Sequence, residues 1–193
     1  MTKRLTKIGV NPDFQELSSF VHELPTVFET GGKVIYKGRN ELKEFDVEGK
    51  KLIVKSYQLP HLLNRIIYNF FRASKAKRSY SYALMLRKLG IGSPAPVGYY
   101  STGSWLLFGR SYFVCLKSDC PYTYRDFEKT VFPNQEQILR AIARTTAMLH
   151  ENGLLHKDYS AGNILFRTID EKVEVEIIDL NRMRFGNVDI EAG

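Results

Sequence analysis

The segment LHKDYSAGNIL, residues 155–165, is the most informative part of the sequence, because it sets three polar side chains at a fixed spacing between apolar residues. His156, Asp158 and Asn163 follow the pattern His-x-Asp-x-x-x-x-Asn, directly after a predicted helix. Sixteen positions beyond Asn163, an apolar stretch ends on Asp179. The order is therefore helix, polar loop, short strand, turn and a strand that ends on an acid.

These residue types are the ones that phosphoryl transfer from ATP requires. A carboxylate, here Asp158, orients the acceptor hydroxyl and accepts its proton, while an amide oxygen and a second carboxylate, here Asn163 and Asp179, hold Mg²⁺ against the phosphates. His156 is expected to structure the loop through hydrogen bonds. The alternative is that these are ordinary turn and strand-end residues. It is disfavoured because the motif lies in the structural context that the chemistry demands.

A strand-rich block upstream gives an independent indication. Residues 33–38, 43–47 and 51–57 are rich in β-branched and aromatic residues and are separated by turns, which predicts an antiparallel meander. Lys55 lies between apolar residues, where an unpaired ammonium is costly to bury, and a kinase holds the α- and β-phosphates with such a lysine. The turn Gly38-Arg39-Asn40 is a candidate to close over phosphates with its backbone N–H groups.

Helical and extended patterns alternate in the next part of the chain. Residues 62–72 repeat apolar side chains at helical spacing, which predicts a helix packed on the domain or, alternatively, one lying on a membrane. Residues 74–89 predict a second helix, with Ser74 as N-cap and Gly90 past its end. Two more strands, at 94–101 and 111–116, complete a predicted five-stranded antiparallel sheet. This set of elements predicts an α+β lobe.

A linker at residues 119–121 precedes a part of the chain that is helical at first. Asn134, followed three residues later by Gln137, is a capping-box arrangement and predicts a helix that ends at Asn152-Gly153. Short strands are expected around 163–166 and 173–179. We therefore expect a nucleotide-binding lobe at residues 1–118 and a partial, helical catalytic lobe at residues 119–193.

Charge is distributed unevenly along the 193 residues, whose net charge is +7. The segment from Gly49 to Ser118 contains twelve of the 28 basic residues and none of the 21 acidic ones. This predicts an anionic partner, either nucleotide phosphate, nucleic acid or a charged membrane surface, unless the segment is only a solvated basic face.

Composition excludes several classes of protein. At 44% hydrophobic and 25% charged residues the chain is not disordered. No stretch approaches 18 apolar residues, so no membrane span is predicted. Residues 1–14 have no apolar core long enough for a secretory signal. Two cysteines, Cys115 and Cys120, are expected to be reduced thiols in the cytoplasm.

With these residues in place, the chain resembles the lipopolysaccharide core kinases, the Kdo kinase and heptose kinase (Kdo/WaaP) group of the protein-kinase-like fold. The resemblance covers most of the chain and rests on residues 37–40, 52–55, 74–78, 90–99, 156–163 and 177–185. It implies a two-lobe fold in which Lys55 holds the α- and β-phosphates, Asp158 is the base for a sugar hydroxyl, and Asn163 and Asp179 bind Mg²⁺. It also implies that the backbone from Val114 to Leu116 receives adenine.

The resemblance further implies an acceptor and a place in the cell. The acceptor is a Kdo or heptose residue on the lipid A-linked inner core, and the enzyme is cytoplasmic, peripheral on the cytoplasmic face of the inner membrane. The chain departs from the family where Ser81 occupies the place of a Glu that would pair with Lys55. It ends at Gly193, before the helices that complete the larger lobe, so a longer natural protein or a fragment is expected.

The sequence leaves three other functions open. A nucleotide-binding pseudokinase or scaffold would suit the missing Glu. A phosphotransferase of the same fold could act instead on an aminoglycoside, a fructosamine or a protein hydroxyl. A nucleic-acid-binding module would suit the basic segment, but the sequence contains no recognised reader motif, and no nucleic-acid partner is expected.

Overall fold

The computed structural model describes residues 5–57, 73–103, 108–170 and 172–186. The chain forms two compact units, one made of Met1–Ser81 and Ala95–Lys117 and the other of Tyr82–Pro94 and Ser118–Gly193. The predicted lobe boundary after residue 118 stays a prediction, and the contacts within each unit assign Tyr82–Pro94 to the second. The helix predicted at residues 62–72 lies outside the described residues.

The first unit is built on an antiparallel sheet of six strands in the order β1-β5-β6-β4-β3-β2. The strands are β1 Leu5–Val10, β2 Lys33–Lys37, β3 Glu41–Val47, β4 Lys50–Tyr57, β5 Pro96–Gly103 and β6 Phe108–Leu116. The five predicted strands are confirmed, and β1 corrects the count to six. β1 pairs with β5 at the edge of the sheet, and the ring of Tyr99 lies so close over Gly9 that a Cβ there would be 2.3 Å from the ring.

One face of this sheet carries the core of the first unit. A 3-10 helix at Pro12–Leu17 leads into α1 at Ser18–His22 and α2 at Leu24–Thr30. Their apolar side chains pack on the sheet in a cluster of fully or nearly fully buried residues: Leu17, Val21, Leu24, Phe28, Leu52, Val54, Val97, Tyr112 and Val114. Each such side chain contributes roughly 1.5–3 kcal/mol through burial, so this cluster fixes the strands that carry Lys55 and Val114.

The helix α3, Lys75–Lys88, confirms the prediction for residues 74–89 at both ends. The Lys77 N–H donates to the Ser74 hydroxyl at 3.1 Å, the N-cap bond that was expected. Gly90 follows the helix with φ +73°, and the Ile91 N–H donates to the Leu86 carbonyl at 2.9 Å. These bonds form the glycine C-cap that ends many helices.

Besides the part of α3 from Tyr82 onward, the second unit combines two further helices with short strands. The helices are α4 Tyr124–Phe127 and α5 Gln135–Glu151, and the strands are β7 Tyr122–Thr123, β8 Leu154–His156, β9 Ile164–Ile169, β10 Lys172–Ile177 and β11 Met183–Phe185. β10, β9 and β7 form one sheet, and β11 pairs with β8. The predicted hairpin after the motif loop is confirmed as β9–β10. Within the described residues, no helix has the length and apolar character that a membrane crossing needs.

The capping box predicted at Asn134 is wrong. α5 begins at Gln135, but the Asn134 side chain makes no cap bond and donates instead from Nδ2 to Thr168 Oγ1 at 3.2 Å. A capping box is present one helix earlier, where Thr123 caps α4 and exchanges hydrogen bonds with Asp126. The carboxylate of Asp126 accepts from both donors of Thr123 at 2.8 Å.

Candidate active site

His156 organises the motif loop of the second unit. It ends β8, pairs with Met183 of β11 and is 5% exposed. The Asp158 N–H lies 3.2 Å from His156 Nδ1, so Nδ1 accepts, and Nε2 donates to the Ile178 carbonyl at 3.0 Å. These partners define a neutral imidazole with its proton on Nε2. The ring thus joins the residue that carries the candidate base to the residue before Asp179.

The loop from Asp158 to Asn163 is closed by its own hydrogen bonds. The Asp158 carbonyl accepts from the Ser160 N–H and from Asn163 Nδ2, each at 2.8 Å. Because Nδ2 is held there, the amide oxygen Oδ1 is the atom of Asn163 that remains for a cation. The Asn163 carbonyl accepts from the Ile178 N–H at 3.0 Å, which ties the loop to the end of β10.

Asp179 lies two residues after the end of β10 and has a left-handed backbone conformation, with φ 58° and ψ 44°. Aspartate tolerates this conformation better than most residues, because its short polar side chain can hydrogen-bond locally. Here Asn181, which is buried, donates from Nδ2 to Asp179 Oδ1. The turn places Asp179 next to Ile178, to which both His156 and Asn163 are bonded.

The donor set of this loop fits Mg²⁺. Mg²⁺ prefers oxygen ligands and commonly takes one or two carboxylates, completing its octahedron with water and phosphate oxygens. Asp179 offers a carboxylate and Asn163 an amide oxygen, and no cluster of three or more His, Cys, Asp or Glu occurs among the described residues. A carboxylate and an amide oxygen are ligand types that Mg²⁺ accepts when water and phosphate oxygens supply the rest of its shell.

The side chain of Asp158 meets a residue that the sequence reasoning did not single out. Arg182 Nη1 lies 3.3 Å from Asp158 Oδ2. Arg182 belongs to the quoted stretch 177–185, but its contact crosses 24 positions, so only the fold reveals it. The ion pair joins the candidate base to the segment after Asp179.

In the first unit, Lys55 lies in β4 opposite Leu42 of β3 and Phe113 of β6. Its Nζ is 5.4 Å from the ring centroid of Tyr57, two residues along on the same face of the strand. The Tyr57 hydroxyl is hydrogen-bonded to Ser79 Oγ at 2.6 Å. Ser79 is the buried serine of α3, whereas Ser81 is exposed. The phosphate-binding role of Lys55 stays a prediction.

The turn Gly38-Arg39-Asn40 lies between β2 and β3, as predicted. The Gly38 N–H donates to the Asn40 carbonyl at 3.1 Å and is used within the turn. A Cβ on Gly38 would lie 2.5 Å from the Tyr36 hydroxyl oxygen, so glycine lets Tyr36 fold over the turn. The turn's contact with phosphate stays a prediction.

The strand predicted to receive adenine is a central strand of the sheet. Val114 is fully buried and pairs with Val54 on one side and Gly98 on the other. The Leu116 N–H donates at 2.8 Å to the carbonyl of Ala95, the residue just before β5, so this donor is already used. Adenine recognition by Val114 and Leu116 stays a prediction.

A partly buried hydrogen bond between two polar side chains follows this strand in the second unit. Ser118 Oγ donates to Glu176 Oε2 of β10 at 2.5 Å. Burial raises the pKa of the Glu176 carboxyl above its usual value, and it also raises the pKa of the Cys120 thiol to about 11. Both groups are therefore held towards their protonated forms.

Comparisons with known proteins bear on the family and the fold of the chain. The model of the lipopolysaccharide kinase (Kdo/WaaP) family matches residues 37–187. A solved structure described as WaaP in complex with acyl carrier protein matches with a TM-score of 0.66 and 18% identity, over 94% of this chain and 73% of that chain, and so supports the fold. A comparison with curated proteins returns no match. The chain belongs to the lipopolysaccharide kinase (Kdo/WaaP) family and is a kinase, as its motifs predict.

Proposed function

We propose that this kinase transfers the γ-phosphoryl group of ATP to a hydroxyl of a Kdo or heptose residue in the lipopolysaccharide inner core. The observation that carries the proposal is the hydrogen-bonded junction at Ile178. Its carbonyl accepts from His156, and its N–H donates to the carbonyl of Asn163. This junction holds Asp158, Asn163 and Asp179 in one loop cluster.

In the proposed reaction the sugar hydroxyl oxygen attacks the γ-phosphorus, and the bond to the β–γ bridging oxygen breaks to release ADP. Asp158 accepts the hydroxyl proton on its carboxylate. Asn163 Oδ1 and Asp179 would hold Mg²⁺, which, when bound, neutralises charge on the phosphate oxygens. Since little covalent chemistry falls to the protein in such a transfer, the rigidity of the loop is its main contribution.

The nucleotide roles rest on the family. Lys55 would hold the α- and β-phosphates, the turn Gly38-Arg39-Asn40 would cover them, and the backbone from Val114 to Leu116 would contact adenine. The segment between Gly49 and Ser118 contains twelve basic residues, which an anionic membrane surface would attract. The protein would therefore bind peripherally to the cytoplasmic face of the inner membrane, where its substrate lies.

The test is transfer of radiolabelled phosphate from ATP to Kdo-lipid A, with heptosylated Kdo-lipid A as a second acceptor. The comparison is between wild type and D158N. A matched control is D170N, since Asp170 is an exposed acid in the β9–β10 turn with φ 53°, a conformation that asparagine also adopts. We expect label in one of the two lipids, loss of it in D158N and its retention in D170N.

A second candidate is a nucleotide-binding pseudokinase. It is favoured by one departure of the sequence from the family pattern, in which Ser81 occupies the place of a Glu. Thermal stabilisation by Mg-ATP together with no product from either lipid would support this candidate and reject the transferase.

A further inference from the structure

We propose that Arg182 binds an anionic group, a carboxylate or a phosphate, that the acceptor saccharide carries near the hydroxyl to be phosphorylated. This inference rests on the proposed function, because it takes Asp158 as the base beside which the acceptor lies. Arg182 would then be an acceptor-binding residue, and the acceptor would carry a negative charge.

The backbone of Arg182 is anchored by its neighbours, whereas its side chain is exposed. It is the last residue of the 3-10 turn Leu180–Arg182, and it lies between two buried residues, Asn181 and Met183. Its own side chain is 53% exposed, and that of Asp158 is 40% exposed. The guanidinium is therefore presented to solvent at the candidate base by a well-anchored segment.

The existing ion pair leaves most of the guanidinium available. Arg182 approaches Asp158 through Nη1 alone, at 3.3 Å, whereas a guanidinium has five N–H donors in a planar fork. An exposed pair of this kind contributes at most about 1 kcal/mol, so it can rearrange at little cost. A carboxylate or phosphate fits the fork in a bidentate manner, which is the stronger interaction.

Other cations lie along the same loop. Arg125 of α4 is exposed, and its Nη2 would be 3.3 Å from a Cβ at Gly162, the residue before Asn163. Lys157, next to the base, is also exposed. The acid next to Arg125, Asp126, is engaged in its capping box. These positive charges would attract an anionic saccharide, but they would give a neutral sugar little electrostatic attraction.

The experiment measures binding of small saccharides by titration in the presence of Mg²⁺ and a non-hydrolysable ATP analogue. One arm compares the methyl glycoside of Kdo with its carboxyl-reduced form, and the other compares a heptose with its monophosphate. The protein forms are wild type, R182Q, R182K and R184Q. Arg184 is the matched control, an exposed arginine two residues further along in β11.

We expect wild type to bind the anionic form of one pair roughly tenfold more tightly than the neutral form, the size of one charge-assisted hydrogen bond. R182Q should abolish this preference, R182K should restore part of it and R184Q should retain it. The arm that shows the preference identifies the anion as carboxylate or phosphate. In turnover, R182Q should raise the acceptor KM and change kcat less.

Two results would overturn the inference. One is equal binding of the anionic and neutral forms by wild type in both arms. The other is a fall in kcat of R182Q that is the same for both forms with KM unchanged, because Arg182 would then act only on Asp158. An anion preference that is lost in R182Q would support the inference even if no lipid is phosphorylated, in which case the proposed function alone fails.

Discussion

Replacement of His156 by phenylalanine tests the junction on which the candidate site depends. Phenylalanine fills a similar volume but has no ring nitrogen, so the Asp158 N–H loses its acceptor and the Ile178 carbonyl loses its donor. His156 is 5% exposed, whereas Asp158 and Ile178 are only partly buried, so water can replace the lost partners only in part. The substitution therefore removes two hydrogen bonds without opening a cavity.

The magnitude follows from these two bonds. A buried polar group left without a partner costs about 1–3 kcal/mol, and both groups here are only partly buried, so we expect H156F to lower the free energy of unfolding by roughly 2–4 kcal/mol. In H156Q the new side-chain amide can replace one of the two hydrogen bonds, so the free energy of unfolding should fall about half as much. In urea, H156F should lower the midpoint of the transition of the second unit by roughly 1–2 M.

The assay is urea unfolding followed by circular dichroism, with phosphate transfer measured in parallel at low temperature. H150F and H150Q are matched controls, because His150 is exposed in the last turn of α5. They should stay within about 0.5 kcal/mol of wild type. If H156F also stays within that range, the hydrogen bonds of His156 do not hold the loop.

Three further predictions concern the second unit. In a C115S background, Cys120 should react with iodoacetamide at pH 8 roughly a hundredfold more slowly than an ordinary thiol, because burial raises its pKa from 9.0 to about 11; mass spectrometry measures the rate. G92A should lose at least about 2–3 kcal/mol in thermal unfolding, because the new Cβ would lie 1.9 Å from the Val175 carbonyl oxygen. Because the pKa of Glu176 is raised, its carboxyl binds a proton more tightly in the folded state than in the unfolded state. The free energy of unfolding should therefore fall as the pH rises above 4.5 and Glu176 loses this proton. In unfolding measured against pH, E176Q should not show this fall.

Each of these predictions has a result that contradicts it. Labelling of Cys120 at the rate of a free thiol would show that the site is open to solvent. A G92A protein as stable as wild type would show that β10 does not approach Gly92. Parallel pH profiles of wild type and E176Q would show that the carboxyl titrates alike in the folded and unfolded states.

The elements that the sequence predicts well are those whose signals are local. β4 is a run of β-branched and apolar residues between turns, and α3 carries its own cap residues, Ser74 and Gly90. The motif loop is recognisable because the spacing of Asp158 and Asn163 is a property of the chain itself. For these parts, local pattern and fold agree.

The features that escaped prediction depend on contacts between distant parts of the chain. β1 contains a glycine and a lysine in its interior and exists by pairing with β5, some 90 residues away. The side chain of Asn134 bonds to Thr168 of β9 rather than to its own helix. The pairing of Arg182 with Asp158 is of the same kind, since spacing alone does not bring these two side chains together.

The role of Asp158 as catalytic base is tested by phosphate transfer from Mg-ATP to Kdo-lipid A or its heptosylated form by wild type, D158N and D170N. We predict labelled lipid with wild type and D170N, and with D158N a loss of at least about 10²-fold in rate, the lower end of what a general base contributes. Equal rates for D158N and wild type would contradict the assignment of Asp158 as the catalytic base.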